Sequence, residues 1–155
     1  MNYEINGELT VVSPDTFSLM TNADLKKFFG STENRWGIRD EKRHMIISCG
    51  WTRQGDMMNY LSDERSIANG VRQRMKKNLT DFRASGFFQE KRGIHKAKGF
   101  DFQFRAVNDG CIYSGKALVI KHCKHFYGFI YYSSKENYAE CARIFEDLFL
   151  SLRGL

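Results

Sequence analysis

The chain has one proline, Pro14, among 155 residues, no Gly/Ser-rich linker, no low-complexity tract and no internal repeat. These absences remove the usual marks of a domain boundary, and a chain of this length can bury a core without metal or disulfide staples. One domain over 1–155 is therefore expected. No apolar run approaches the roughly 20 residues a spanning helix needs. Residues 1–20 also lack a basic start followed by a continuous apolar core, so no secretory signal is expected and the cytoplasm is the default location. The four cysteines, Cys49, Cys111, Cys123 and Cys141, are too few and too scattered for a disulfide framework, and reduced thiols are expected. No phosphate-binding glycine loop is present: Gly110 and Gly115 lack the strand–loop–helix setting and the lysine of a P-loop.

What is present gathers toward the end of the chain. Tyr138, Cys141, Ala142, Phe145, Leu148, Phe149 and Leu152 recur at intervals of three and four, with Glu140, Arg143, Glu146 and Asp147 toward the other face. That pattern predicts an amphipathic helix needing a sheet to cover. Ser133 and Glu136 have the spacing of a reciprocal N-terminal cap, and Gly154 is placed to end the helix in a left-handed conformation. Between Leu118 and Tyr132, β-branched and aromatic residues suit two antiparallel strands, with Lys121 to Lys124 at their connection.

Upstream, Tyr3, Ile5, Leu9, Val11 and Val12 predict short strands around an Asn6-Gly7 turn. A short helix is expected from Asn22 to Phe29, capped by Thr21 or Asn22 and stopped by Gly30. Arg35 to Arg39 and His44 to Trp51 read as strands, and 52–61 as an ambiguous connection anchored by Met57, Met58, Tyr60 and Leu61. A long helix is expected from Asp63 to Phe82, its inner stripe being Ile67, Val71, Met75, Leu79 and Phe82. Gly70 beside that stripe costs about 1 kcal/mol relative to alanine. Phe87, Phe88 and Ile94 mark further sheet positions. Phe100, Phe102, Phe104 and Ala106 keep the strict period of two of a half-buried strand. Asn108-Asp109-Gly110 marks a turn, and Ile112 to Ile120 returns antiparallel. The expected fold is α+β: a central antiparallel sheet of about six strands with helices packed against it.

At Ser114-Gly115-Lys116-Ala117-Leu118-Val119-Ile120, then Phe126-Tyr127-Gly128-Phe129-Ile130-Tyr131-Tyr132 and the closing helix, the chain resembles the PsbP-like α/β superfamily. That grouping includes photosystem-associated PsbP, a nuclear-transport factor acting on Ran, and small bacterial proteins of unassigned role. The resemblance implies a central antiparallel sheet covered by helices, in a family where many members bind or assist rather than catalyse. It transfers no contact residue to a position here.

The net charge of +6 is uneven: Arg72 through Lys98 holds nine Lys/Arg against Asp81 and Glu90. Arg72, Arg74, Lys76, Lys77, Lys91, Arg92, Lys96 and Lys98 form the candidate interaction surface, which a positive field would steer toward an acidic protein partner. Nucleic acid is the alternative partner, with Phe87, Phe88, Phe100, Phe102 and Phe104 as stacking rings, although their alternation is better explained by burial. A third reading takes His122, Cys123 and His125 of His122-Cys123-Lys124-His125 as ligands of a metal-dependent enzyme, with Cys49, His44 or His95 approaching in space, or Cys123 with His122 or His125 as a nucleophile–base pair. Cys111 is a poor fourth ligand, because strand 112–120 would hold it roughly 30 Å away. Trp36, Trp51 and Tyr131 suit a sheet edge or rim. The favoured expectation is non-catalytic protein binding, with no catalytic residue, metal or cofactor assigned.

Overall fold

A computed structural model describes residues 1–53, 63–92 and 95–155, the side chain of Arg92 excepted. The expected anchors Met57, Met58, Tyr60 and Leu61, and the sheet position Ile94, lie outside the described residues.

The first strands, β1 (Asn2–Ile5) and β2 (Leu9–Val12), pair antiparallel across a turn in which Asn6 and Gly7 both have positive φ. Asparagine and glycine are the residues that adopt this geometry at least cost. After the two-residue β3 (Ser18–Leu19) comes α1 (Asn22–Phe29). Thr21 accepts from the Asp24 N–H while the Asp24 carboxylate accepts from the Thr21 N–H, and Gly30 leaves the helix at φ 75°. Strands β4 (Arg35–Asp40) and β5 (Met45–Arg53) follow, then α2 (Glu64–Asn78), whose first free N–H groups are capped by Asp63. The remaining elements are β6 (Thr80–Ala84), β7 (Phe88–Arg92), β8 (His95–Arg105), β9 (Ile112–His122), β10 (His125–Ser134), a 3-10 turn at Lys135–Asn137, α3 (Tyr138–Leu150) and β11 (Arg153–Gly154).

The main sheet is wider than the six strands expected. Eight strands join it in the order β3-β4-β5-β10-β9-β8-β6, with β7 also on β8, and every pairing is antiparallel. The long β8 explains the excess: β6 pairs with its last residues and β7 with its first. A separate three-stranded sheet, β1-β2-β11, lies with α3 on one face. There Ile47, Cys49, Leu118, Ile120, Tyr127, Phe129 and Tyr131 meet Cys141, Phe145, Leu148 and Phe149, all buried. The other face carries α1, through Leu25 on Ile46 and Met20, and α2, through Val71 on Phe100, Phe102, Phe104 and Ala117. At about 25 cal/mol per Å² of apolar surface buried, these two cores supply the main driving force for folding.

Three boundary expectations are corrected. The helix expected over 63–82 ends at Asn78, because Leu79 turns extended (φ −108°, ψ 142°) and Thr80, Arg83 and Ala84 gain ladder partners on β8. Phe82 therefore packs from a strand, its ring 6.1 Å from that of Phe102. Ser133 does not cap α3: it remains on β10, fully buried, with its hydroxyl donating to the Ser134 carbonyl. The helix start is instead held by long-range contacts, Asn137 donating to the Arg43 carbonyl at 3.0 Å and Glu140 pairing with Arg43 at 2.9 Å. Gly154 does not terminate α3 either. The helix stops at Leu150 with Ser151 still right-handed, and Gly154 pairs with Leu9 in β11.

Candidate basic interface

The alternation of β7 and β8 sorts the predicted cations. Phe100, Phe102 and Phe104 face α2, so Lys96 and Lys98 share that face, and the register Lys91↔Lys96 brings Lys91 into the same row. Lys98 lies 4.0 Å from Asp63 at the start of α2, which ties the row to the helix. Arg92 pairs with His95 at the strand end. Between hairpin and helix, Phe87 is gripped by two guanidinium groups: Arg72 lies 4.1 Å and Arg65 5.5 Å from its ring centroid. Arg72 also donates to the Ser85 carbonyl at 3.4 Å.

The other helix cations point elsewhere. Two residues advance a helix by about 200°, so Arg74 leaves on the flank opposite Arg72, where its charge acts on Arg35 of β4. Lys76 and Lys77 are exposed in the last turn, favourably placed against the helix dipole. The sequence reading missed Arg65 and Lys121. Arg65 was recoverable, since it lies two helical turns before Arg72. Lys121, exposed and 6.0 Å from the Phe126 ring on this face, could be assigned only once the β9–β10 register was known.

On the opposite face, the turn His122-Cys123-Lys124-His125 is a two-residue hairpin with Cys123 exposed at φ 54°. His122 and His125 are cross-strand partners. His125 Nδ1 lies 3.1 Å from both Glu8 carboxylate oxygens, and the Tyr127 hydroxyl donates to Glu8 at 2.6 Å while accepting from Asn6 at 3.1 Å. The Tyr127 bond, aided by the two histidines, holds the Glu8 carboxyl below its usual pKa. His95 is buried nearby, its ring 6.4 Å from His122 and 6.2 Å from Phe149; burial lowers its pKa. Among the described residues, no three His, Cys, Asp or Glu side chains are grouped to hold a metal. Cys49 and Cys141 are buried in the core, and desolvation raises both thiols, Cys141 to about 12, far from the thiolate a nucleophile needs.

The candidate stacking rings are occupied. Phe100, Phe102 and Phe104 are buried beneath α2, and Phe87 is covered by arginines. Trp36 lies in the core against Tyr3, and Tyr131 stacks on Phe145 at 4.2 Å. Two shallow grooves of about 440 and 520 Å³ border β6 and share Arg83 and Gln103; Phe82 and Phe104 line the first, Asp101, Ser114 and Tyr138 the second.

An eight-stranded antiparallel sheet with α3 and a small sheet on one face and two helices on the other is the PsbP-like fold. Cyanobacterial PsbP from Synechocystis superposes with a TM-score of 0.71 over 100% of this chain and 92% of its own, at 9% identity. The Ran-binding protein Mog1p of Saccharomyces cerevisiae gives a TM-score of 0.60 over 99% and 94%, at 11% identity. A Bacteroides thetaiotaomicron structure gives 0.59 at 11% identity; 95% of this chain spans only 45% of that one. No protein-family model and no curated protein matches the sequence. Among the described residues, no helix is long and apolar enough to cross a membrane.

Proposed function

We propose that this chain is a single, non-catalytic PsbP-like domain that binds an acidic protein partner through the face built from α2 and the β7–β8 hairpin. The observation that supports this most is the grouping of Lys91, Lys96 and Lys98 on one face beside Phe87 with its two arginine contacts, Arg65 and Arg72. The strand ladder holds the lysine stems in register, and Phe87 with its arginine contacts offers a partly apolar centre around which cations are spaced. Such a surface steers an acidic partner by its field and holds it by burying the Phe87 neighbourhood. The fold it shares with the Ran-binding Mog1p is compatible with a binding role. Four free thiols support the reducing cytoplasm as its compartment.

The test is affinity purification from source cells with the unmodified protein and a Lys91→Glu/Lys96→Glu/Lys98→Glu variant as baits. A protein retained by the first bait, lost from the second and released by salt is the expected result. Retention of the same protein by both baits removes this face from the account. Recovery of nucleic acid that survives a nonspecific competitor would replace the protein partner with RNA or DNA.

A further inference from the structure

On the helix-bearing face, four strands across the sheet from Lys98, lies an arginine with unusual surroundings. Arg35 opens β4 and sets its guanidinium carbon 4.7 Å from the centroid of Phe29, the last residue of α1. Across the sheet it pairs with Gly50, which pairs in turn with Gly128 on β10. The guanidinium lies over the first of these glycines: a Cβ at position 50 would stand 3.5 Å from Arg35 Cζ and Nη1. At Gly128, a Cβ would meet nothing nearer than the Gly50 carbonyl at 3.9 Å among the described residues. A lane of bare backbone thus leads away from the cation.

Among the described residues the charge in this setting has no counter-charge. Arg35 is only partly exposed, and its Nε is buried with no hydrogen-bond partner among those residues. Among the described residues no carboxylate pairs with it, whereas Arg39 on the same strand has both Asp24 and Glu41. Burial lowers the Arg35 pKa, and the like charge of Arg74 lowers it further. Removing a cation from water without a counter-charge is costly. Such frustration concentrates where a ligand completes the site.

We propose that the Arg35 guanidinium, set on Phe29 beside the Gly50–Gly128 lane, is a carboxylate-binding site. A carboxylate laid end-on against the two Nη groups accepts two parallel N–H···O bonds and supplies the missing counter-charge. Arg74 strengthens the attraction from the α2 side. The lane admits the ligand because glycine leaves no side chain there. Its backbone groups are engaged by strands on both sides of β5, so the floor offers few spare donors. One planar fork matches the two oxygens of a carboxylate; a phosphate would leave oxygens without donors. The natural ligand by this chemistry is an Asp or Glu side chain, or a chain terminus, on an extended segment lying along the lane. This site stands independently of the lysine row.

The test uses the full chain with isotope-labelled arginine side chains. Capped oligoglutamate peptide and inorganic phosphate are titrated separately at matched ionic strength, and the Arg35 Nε–H signal and the Gly50 and Gly128 amides are followed. Saturable shifts with oligoglutamate are expected. The amide shifts should weaken about tenfold or more in Arg35→Gln, the worth of a charge-assisted bond, less in Arg74→Gln, and persist in Lys91→Glu/Lys96→Glu/Lys98→Glu. Saturable shifts with phosphate alone would overturn the carboxylate assignment. No shift with either probe in the unmodified protein, or undiminished amide shifts in a folded Arg35→Gln variant, would overturn the site.

Discussion

Glu8 shows how one residue can fasten two sheets. It stands at the β1–β2 turn, yet its carboxylate accepts from Tyr127 at 2.6 Å and meets His125 at 3.1 Å, more than a hundred residues away. Removing the Tyr127 hydroxyl leaves a half-buried carboxylate without its strongest donor, so Tyr127→Phe should lower stability by about 1–3 kcal/mol. The sign of the pH effect follows from the depressed Glu8 pKa. Its contribution is fully present above the unfolded carboxyl value and is lost as pH falls through the lower folded value. Denaturant melts of wild type and Tyr127→Phe should therefore differ most near neutrality and converge in acid, below the ordinary carboxylate range. A difference independent of pH would mean that the hydroxyl acts without the Glu8 charge. No local pattern in the sequence couples positions 8 and 127, because neither sits in a recognisable turn or periodicity with the other.

At the scale of elements, legibility followed the range of the interactions. The α1 ends were readable because Thr21, Asp24 and Gly30 act within one turn of chain. Thr21→Ala should cost about 0.5–2 kcal/mol, as other N-cap losses do, measured by chemical denaturation; an unchanged midpoint would show that Asp24 caps alone. The alternation of Phe100, Phe102 and Phe104 likewise placed β8 correctly. The end of α2 was misread because Leu79 and Phe82 keep the helical spacing, while Thr80, Arg83 and Ala84 around them take ladder partners on β8. Local propensity is weak beside several cross-strand hydrogen bonds. Gly115 marks another tertiary demand: a Cβ there would collide with the Tyr131 carbonyl and stand 2.7 Å from the Phe102 ring. Gly115→Ala should cost several kcal/mol by forcing β9 away from β10. Wild-type stability of that variant would mean the strands separate more easily than their packing implies.

For the whole molecule, the cysteines report whether the layers open together. Cys49 on β5 and Cys141 on α3 are buried within one core cluster, whereas Cys111 and Cys123 sit exposed in turns. A thiol reagent should label the turn cysteines in the native protein. The two core thiols should react only along the denaturation curve followed by helix signal. Native labelling of Cys141 ahead of global unfolding would show that α3 detaches from the sheet on its own.

The amino-acid order by itself determined the α+β class, the antiparallel hairpins, the apolar stripe of α3, the Gly30 stop of α1 and the concentration of cations over 72–98. Periodicity and turn chemistry act over a few residues, and a covered sheet is what such elements can bury against. Only the tertiary structure decided the eight-strand width and the long-range hold on α3. It alone brought Lys121 to the face of the lysine row, Glu8 to Tyr127, and Arg35 onto Phe29 beside the paired glycines. These are matters of register and facing. A strand's register is set by the partner it meets, and a one-residue shift sends each side chain to the other face.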